Sequence, residues 1–210
     1  MSTNKMGIYR SRILPHLMNA VMSTDENREI RSRVCAALDG TVVEIGFGSG
    51  LNVPYYPEGV HTVHAVEPAT RSIALASERI EAGHAHVHHT GLTGERVDLP
   101  SASADAVLST WTLCSIPDVD AALGEVRRVL KPGGILHFVE HGISPDPKVA
   151  RRQRRLEPIN KPIFGGCHLT RDIPALLTRA GFVIETMTTY QHPKEPKAFG
   201  WTFEGRAAPA

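Results

Sequence analysis

Three glycines that alternate with other residues follow a short apolar run. The run extends from Thr41 to Ile45, and Gly46, Gly48 and Gly50 come directly after it. Glycine adopts positive φ and lets a ligand come closer to the backbone than a β-carbon would allow. A buried strand that enters such a turn predicts a ligand-binding loop. The spacing alone leaves the ligand open, because a dinucleotide-binding loop has its third glycine one residue later.

Two acidic residues narrow the choice of ligand. Glu44 precedes the first glycine, where it would repel a pyrophosphate but can accept hydrogen bonds from an ammonium group. Glu67 follows a second apolar run, residues 60–66, where a carboxylate can bind both hydroxyls of a ribose. Together they favour a ligand that joins an amino-acid group to a nucleoside.

A histidine and two cysteines are further candidates for chemistry. His141 follows the fifth predicted strand, so it lies at the rim where open α/β sheets bind ligands. It can act as a general base or as a donor that orients the substrate, and the alternative is a structural histidine. Cys114 and Cys167 lack the C-x-x-C spacing of a structural zinc site, so packing is predicted and no metal is expected. Cys114 is expected to line the pocket.

The elements that position these residues alternate between strand and helix. Apolar runs at residues 41–45, 60–66, 85–90, 105–110 and 135–140 predict strands, and helices are predicted between them. Alternation of this kind predicts an α/β protein with a parallel, doubly wound sheet. Residues 182–190 and 198–205 are predicted to close it as an antiparallel hairpin.

Two segments are predicted to cover the pocket of a single domain, residues 1–210. Residues 1–39 should form two helices, because Ile13, Leu17 and Val21 are spaced four apart and Thr24 or Asp25 can cap the second helix. Residues 143–168 interrupt the alternation with prolines and a basic run at 151–155, which predicts a cap insertion. The apolar stretch at 13–22 is too short for a transmembrane anchor.

Composition excludes some classes of partner. The chain has 210 residues with 23 Lys+Arg, 22 Asp+Glu and a net charge of +1, so it lacks the basic surplus of nucleic-acid-binding proteins. A small-molecule partner is favoured, and the oligomeric state stays open. The three cysteines, at widely separated positions, favour reduced thiols and a cytoplasmic location.

Four motifs, in order along the chain, resemble those of class I S-adenosylmethionine (SAM)-dependent methyltransferases. They are residues 44–50, Glu67-Pro68, Gly94-Glu95 leading to 105–108, and 128–134. The resemblance implies SAM as cofactor and a Rossmann-like, mostly parallel seven-stranded sheet. It also implies cofactor contacts: the methionine part with Glu44, Gly46, Gly48, Gly50 and Asn52, the ribose with Glu67 and Pro68, the adenine edge with Gly94 and Glu95, and the sulfonium with Thr110.

A narrower set of motifs, at 52–57, 112–116, 138–141 and 166–171, resembles the group that includes animal thiol S-methyltransferases. This resemblance implies a small, apolar thiol acceptor in a pocket that contains Cys114 and His168. The alternatives are O- or N-methylation of a phenol, a quinone-like ring or a phospholipid headgroup, and a SAM-binding protein without turnover. An NAD-dependent oxidoreductase is disfavoured by the early third glycine and by Glu44.

Overall fold

The computed structural model describes residues 9–90 and 93–210. In this part of the chain, a π-helical turn (Tyr9–Ile13) precedes the first α-helix, and a 3-10 turn (Val53–Tyr55) follows the glycine loop. The helices are α1 (Leu14–Val21), α2 (Asp25–Cys35), α3 (Thr70–Ala82), α4 (Val119–Val129), α5 (Pro147–Ile163) and α6 (Ile173–Arg179). The strands are β1 (Gly40–Ile45), β2 (Val60–Val66), β3 (His86–His89), β4 (Ala104–Thr110), β5 (Leu130–His141), β6 (Phe182–Gln191) and β7 (Trp201–Pro209).

The strands form a seven-stranded sheet in the order β3-β2-β1-β4-β5-β7-β6. The first five strands are parallel, and β7 runs antiparallel to both β5 and β6. This architecture confirms the predicted Rossmann-like fold with its antiparallel end. The strand order reverses between β1 and β4, so the carboxyl ends of these strands form the crevice in which such sheets bind ligands.

Burial on both faces explains why the central strands are almost wholly apolar. Val43 and Val107 lie in one buried cluster, whereas Val42 and Leu108 lie in the cluster on the other side of the sheet. Because successive side chains of a strand point to opposite faces, a strand covered on both sides is apolar at most positions, and its buried polar residues need hydrogen-bond partners. The central strands therefore form a rigid base for the loops at their carboxyl ends.

Side-chain caps set the start of several helices. The Thr24 hydroxyl accepts a hydrogen bond from the backbone N–H of Asn27 at 3.3 Å, so Thr24 rather than Asp25 caps α2. Asp118 caps α4 and Asp172 caps α6 in the same way. Each cap satisfies an N–H that the first helical turn leaves without a partner.

Three details differ from the sequence-based expectations. Residues 130–134, which precede the fifth strand predicted at 135–140, also belong to β5, and Gly133 has a φ of +82° there. The segment 147–163 is a helix although Pro158 and Pro162 lie inside it. Ile13 and Leu17 of the predicted apolar stripe face outward, with 54% and 36% of these residues exposed.

No helix within residues 9–90 and 93–210 combines the length and the apolar character that a bilayer span requires. Residues 1–8, which belong to the segment predicted to cover the pocket, lie outside the described part of the chain.

Candidate active site

One cavity of about 560 Å³ opens at the carboxyl ends of β1, β4 and β5. Residues of α1 and of the end of α5 line it from the other side, among them Met18 and Phe164. We call one part the glycine-loop end, formed by residues 44–52 together with Arg31, Glu67 and Thr110. We call the other part the cysteine end, formed by Cys114, His141, Cys167 and Glu195. Both parts contribute lining residues to the same cavity.

The glycines of the loop serve different purposes. Gly46 has a φ of +73°, and a β-carbon built on it would lie 2.1 Å from Thr112 Oγ1. Gly48 has a φ of +56°, but a β-carbon there would find no heavy atom closer than 3.8 Å. Both residues line the cavity, whereas Gly50 packs against Ala76 of α3. Gly46 is thus required by packing, and Gly48 leaves space that a ligand can fill.

Glu67 holds the loop in place. Its carboxylate accepts hydrogen bonds from the backbone N–H groups of Gly48 at 2.9 Å and Ala69 at 2.8 Å. Burial raises the pKa of Glu67, and these two hydrogen bonds oppose that change. Glu67 lies behind Gly48 and is not among the residues that line the cavity, and Pro68 is exposed.

Glu44 and Asn52 lie below the loop in a buried hydrogen-bond network. Asn52 Nδ2 donates to Glu44 Oε1 at 2.8 Å and to Thr110 Oγ1 at 3.0 Å, and the Tyr56 hydroxyl donates to the other Glu44 oxygen. Burial raises the pKa of Glu44 to about 7. Of the predicted residues in this network, only Thr110 lines the cavity. Glu44 therefore has no oxygen without a hydrogen bond to the protein.

Arg31 joins this network to the cavity and was not identified from the sequence. One guanidinium nitrogen donates to Asn52 Oδ1 at 2.6 Å and to Thr110 Oγ1 at 3.2 Å, and the group lies 4.9 Å from the centre of the Trp111 ring. The Arg31 Nε–H is buried and has no hydrogen-bond partner among residues 9–90 and 93–210. Burial lowers the pKa of Arg31 to about 10, which leaves it charged at neutral pH. A buried cation with an unused donor is suited to a carboxylate ligand.

Gly94 and Glu95 are placed away from the cavity. A β-carbon on Gly94 would meet Ile45 and Ile116 at 2.9 Å, so this glycine permits close packing behind the sheet crevice. Glu95 is half-buried, and neither residue lines the cavity. Residues 91–92, which precede this segment, lie outside the described part of the chain.

The cysteine end brings together side chains that are far apart in sequence. Cys167 Sγ lies 3.6 Å from Cys114 Sγ and 3.9 Å from His141 Nδ1, and all three residues line the cavity. His141 Nε2 lies 3.4 Å from Glu195 Oε2, in an ion-pair contact that lacks hydrogen-bond alignment. The three cysteines of the chain are free thiols.

Charges and burial at this end change the proton affinities of its groups. The contact with Cys167, together with burial, raises the pKa of Cys114 well above its usual range. Burial lowers the pKa of His141, but Cys114 and Glu195 raise it, and it reaches about 10. The Glu195 carboxylate therefore favours the protonated form of His141, and burial favours the neutral form of Cys114.

Glu140 positions the loop that carries Cys114. Its fully buried carboxylate accepts hydrogen bonds from the Ser109 hydroxyl at 2.6 Å and from the backbone N–H groups of Thr112, Leu113 and Cys114 at 3.0–3.1 Å. The sequence signal was an acidic residue at the end of the mostly apolar run 135–140. A carboxylate that binds three successive backbone N–H groups fixes the turn that follows β4.

Trp111 forms a wall between the two ends. It has a φ of +52°, a conformation that bulky residues rarely adopt, and its backbone N–H donates to the Val139 carbonyl at 2.7 Å. Backbone strain of this kind persists only where the surrounding structure enforces it. Leu169 and Phe199 extend this apolar lining at the cysteine end.

His168, predicted to lie in the substrate pocket, is not among the lining residues. Its side chain points to Glu157, with Nδ1 3.3 Å from Oε1, while its backbone N–H donates to the Cys114 carbonyl at 2.8 Å. The neighbouring Cys167 takes the pocket position instead. Cys167, for which only packing was predicted, therefore lines the pocket, and Glu195 was not identified from the sequence.

Comparisons with known proteins agree with this geometry. Residues 43–138 match the family model described as a methyltransferase domain. Thiol S-methyltransferase TMT1B of Homo sapiens is 31% identical over 203 residues, covering 89% of this chain and 80% of that protein. Its counterpart from Rattus norvegicus is 36% identical over 166 residues, covering 77% of this chain and 65% of that protein. A SAM-dependent methyltransferase structure from Thermotoga maritima matches with a TM-score of 0.67 and 21% identity, covering 97% and 98% of the two chains.

Proposed function

We propose that this chain, which belongs to the class I SAM-dependent methyltransferases, transfers the methyl group of SAM to a small, apolar thiol. The observation that carries the proposal is the shared cavity, which connects the glycine loop to a pocket lined by sulfur and apolar side chains. The thiol S-methyltransferase relatives support the choice of acceptor.

The glycine-loop end fits the amino-acid part of SAM. The space beside Gly48 would admit the ligand backbone, and the unused Nε–H of Arg31 would bind the ligand carboxylate. We assign Gly46, Gly48 and Thr110 to direct contact. Glu44, Asn52 and Gly50 are assigned to support of the loop, since each is already engaged by other protein groups.

The nucleoside part would lie beyond the loop, toward Glu67. In this proposal the Glu67 carboxylate binds the ribose hydroxyls while it keeps its hydrogen bond to the Gly48 N–H, and Pro68 shapes the adjoining turn. Gly94 and Glu95 remain proposed contacts for the adenine edge, through the backbone of their segment. These assignments require a modest turn of the Glu67 side chain toward the ligand.

SAM supplies a methyl group on a sulfonium carbon, and the residues of the chain align the acceptor with it. An in-line displacement of this kind depends mainly on alignment and on exclusion of water. Trp111, Leu169 and Phe199 provide the apolar surface that excludes water. Cys114 contacts the acceptor, and His141, held by Glu195, orients the acceptor sulfur.

A panel of acceptors tests this proposal. Purified protein with labelled SAM should methylate small alkyl and aryl thiols faster than phenols or amines of matched shape, because a thiol comes closer to deprotonation at neutral pH. Preferred turnover of the phenols or amines would contradict the choice of a thiol. SAM binding without turnover of any acceptor would instead favour a binding protein.

We also propose a cytoplasmic location. The contact of 3.6 Å between the free thiols of Cys114 and Cys167 supports it, because an oxidising compartment would favour their conversion to a disulfide. Fractionation of cells that contain the tagged chain would test this, and recovery in a secreted or membrane fraction would contradict it.

A further inference from the structure

The cysteine end contains a set of potential metal ligands that converge from three segments of the chain. Cys114 lies in the loop after β4, His141 ends β5, and Cys167 lies in the loop after α5. Their ligand atoms, two Sγ and one imidazole nitrogen, all lie within 4.8 Å of one another. Sequence spacing gave no sign of this cluster, since 53 residues separate the two cysteines.

The distances match those of a tetrahedral zinc site. With Zn–S near 2.3 Å and Zn–N near 2.0–2.1 Å, tetrahedral angles place two sulfur ligands roughly 3.8 Å apart and a sulfur and a nitrogen ligand roughly 3.6 Å apart. The observed separations are 3.6 Å for Cys114 Sγ to Cys167 Sγ and 3.9 Å for Cys167 Sγ to His141 Nδ1. Small side-chain movements would therefore complete the coordination.

The surroundings of the cluster are independent support for a metal. His141 turns Nδ1 to the sulfurs and Nε2 to Glu195 Oε2, at 3.4 Å. Metal-binding histidines generally present their second nitrogen to a carboxylate in this way. The ligand backbones are also fixed, because the Cys114 N–H donates to Glu140 at 3.0 Å and Asn160 donates to the Cys167 carbonyl at 2.8 Å.

We propose that Cys114, Cys167 and His141 bind one thiophilic divalent cation, Zn²⁺ in the first instance, with the fourth coordination position open to the cavity. The three residues all line that cavity, so the position without a protein ligand would face a substrate bound there. Three protein ligands with an open fourth position are typical of catalytic rather than structural zinc sites.

A catalytic role for this cation rests on the proposed function. A thiol acceptor would occupy the fourth position as a thiolate and release its proton to solvent. A sulfur lone pair then forms the bond to the methyl carbon, and the bond from that carbon to the sulfonium sulfur breaks with its electron pair remaining on the sulfonium sulfur. The product is a neutral thioether, a weaker ligand that leaves the cation.

The site can be tested on the full chain, reduced and freed of metal by a chelator. Titration with Cd²⁺ should saturate at one equivalent and develop ultraviolet thiolate-to-metal absorbance of the intensity expected for two thiolates. Zn²⁺ should displace Cd²⁺ and abolish the absorbance. Failure of the unmodified protein to show this stoichiometric absorbance would overturn the site, with no variant needed.

Substitutions then assign the ligands. Cys114→Ala and Cys167→Ala should each remove about half of the Cd²⁺ absorbance, whereas the matched control Cys35→Ala should keep all of it, because Cys35 is packed between α2 and the sheet, outside the cavity. Glu195→Gln should weaken Zn²⁺ affinity by about 10-fold to 100-fold while both thiolates still bind. Equal loss in the Cys35 variant would contradict the assignment.

Activity measurements separate the two proposals. Thiol methylation should fall on removal of the metal and return with Zn²⁺. A protein that binds Cd²⁺ with two thiolates but methylates no thiol would retain the site and contradict the proposed function. A protein that methylates thiols at the same rate with and without metal would retain the function and remove the catalytic role of the cation.

Discussion

The glycine-loop end and the cysteine end lie in one cavity but are built differently. The first comes mainly from one continuous segment, residues 44–52, and its carboxylates are engaged by other protein groups. The second collects Cys114, His141, Cys167 and Glu195 from four separate segments. Within the part of the chain that the structure describes, His141 Nε2 has no hydrogen-bond partner. Cys114, Cys167 and Glu195 lie in loops, and loops can vary in sequence without a change in the strands and helices that support them. We therefore expect the first end to determine cofactor affinity and the second to determine turnover and choice of acceptor.

We expect the largest effects from alanine substitutions at two glycines of the loop, which should differ in how much they destabilise the fold. Gly46→Ala should abolish SAM binding and destabilise the fold, because its β-carbon would collide with Thr112. Gly48→Ala should destabilise the fold by only about 1–2 kcal/mol, the cost of a left-handed residue, yet still weaken SAM binding by filling the cavity. Calorimetry with SAM and thermal unfolding of both variants give the comparison. Equal destabilisation by both would contradict this distinction.

Loss of His141 should affect the other end. His141→Ala should lower the thiol methylation rate by about 10²-fold or more, because the acceptor loses its positioning group, while the Kd of SAM stays within about twofold. Steady-state kinetics together with equilibrium binding measure the two quantities. A parallel loss of affinity and rate would mean that the residue supports the whole cavity, and the two ends would not be separable.

Ionisation of Glu44, at the glycine-loop end, should make the free energy of unfolding depend on pH. Its pKa in the folded protein, about 7, lies above the ordinary value of 4.5, so the folded state binds the proton more tightly than the unfolded state. Protonated Glu44 should thus add on the order of 3 kcal/mol to the free energy of unfolding at low pH. This contribution should be lost as the pH rises from about 4.5 to about 7. Glu44→Gln should flatten this part of the profile in urea unfolding without SAM. An unchanged profile would place the ionised carboxylate in the folded state throughout.

Glu67 should give a smaller change in affinity. Glu67→Ala should weaken SAM binding by about 1.5–3 kcal/mol, through loss of charge-assisted hydrogen bonds to the ribose. Glu67→Gln should lose less, because an amide oxygen can still accept from the Gly48 N–H. Titration calorimetry measures both variants. A Kd that does not change in the alanine variant would show that Glu67 only supports the loop.

The sequence was sufficient for the fold and for the position of the glycine loop. The alternation of apolar runs with predicted helices indicated a parallel sheet. The runs could be recognised because helices cover both faces of the central strands, whose side chains are therefore mostly apolar. The glycine loop could be recognised because its three glycines alternate with other residues directly after an apolar run. Both signals are local, so a single chain displays them without any knowledge of tertiary contacts.

The cysteine end could not be predicted because its members meet only in three dimensions. Cys114 and Cys167 belong to loops whose paths depend on the Glu140 carboxylate and on the course of α5. Arg31 is one of several basic residues of a polar helix, and only the fold shows that it is buried beside Trp111. His168 was expected in the pocket because of the motif at 166–171, whereas the loop geometry turns His168 toward Glu157.

The position of β7 constrains how the chain reaches its final form during synthesis. This strand lies between β5 and β6, although it follows both in sequence. When β6 leaves the ribosome, the strand that would attach it to the sheet has not yet been made, and β5 keeps an open edge of unpaired N–H and C=O groups. His141 pairs with Thr202 of β7, so this edge of the end of β5 that carries the histidine cannot be paired before β7 has been made.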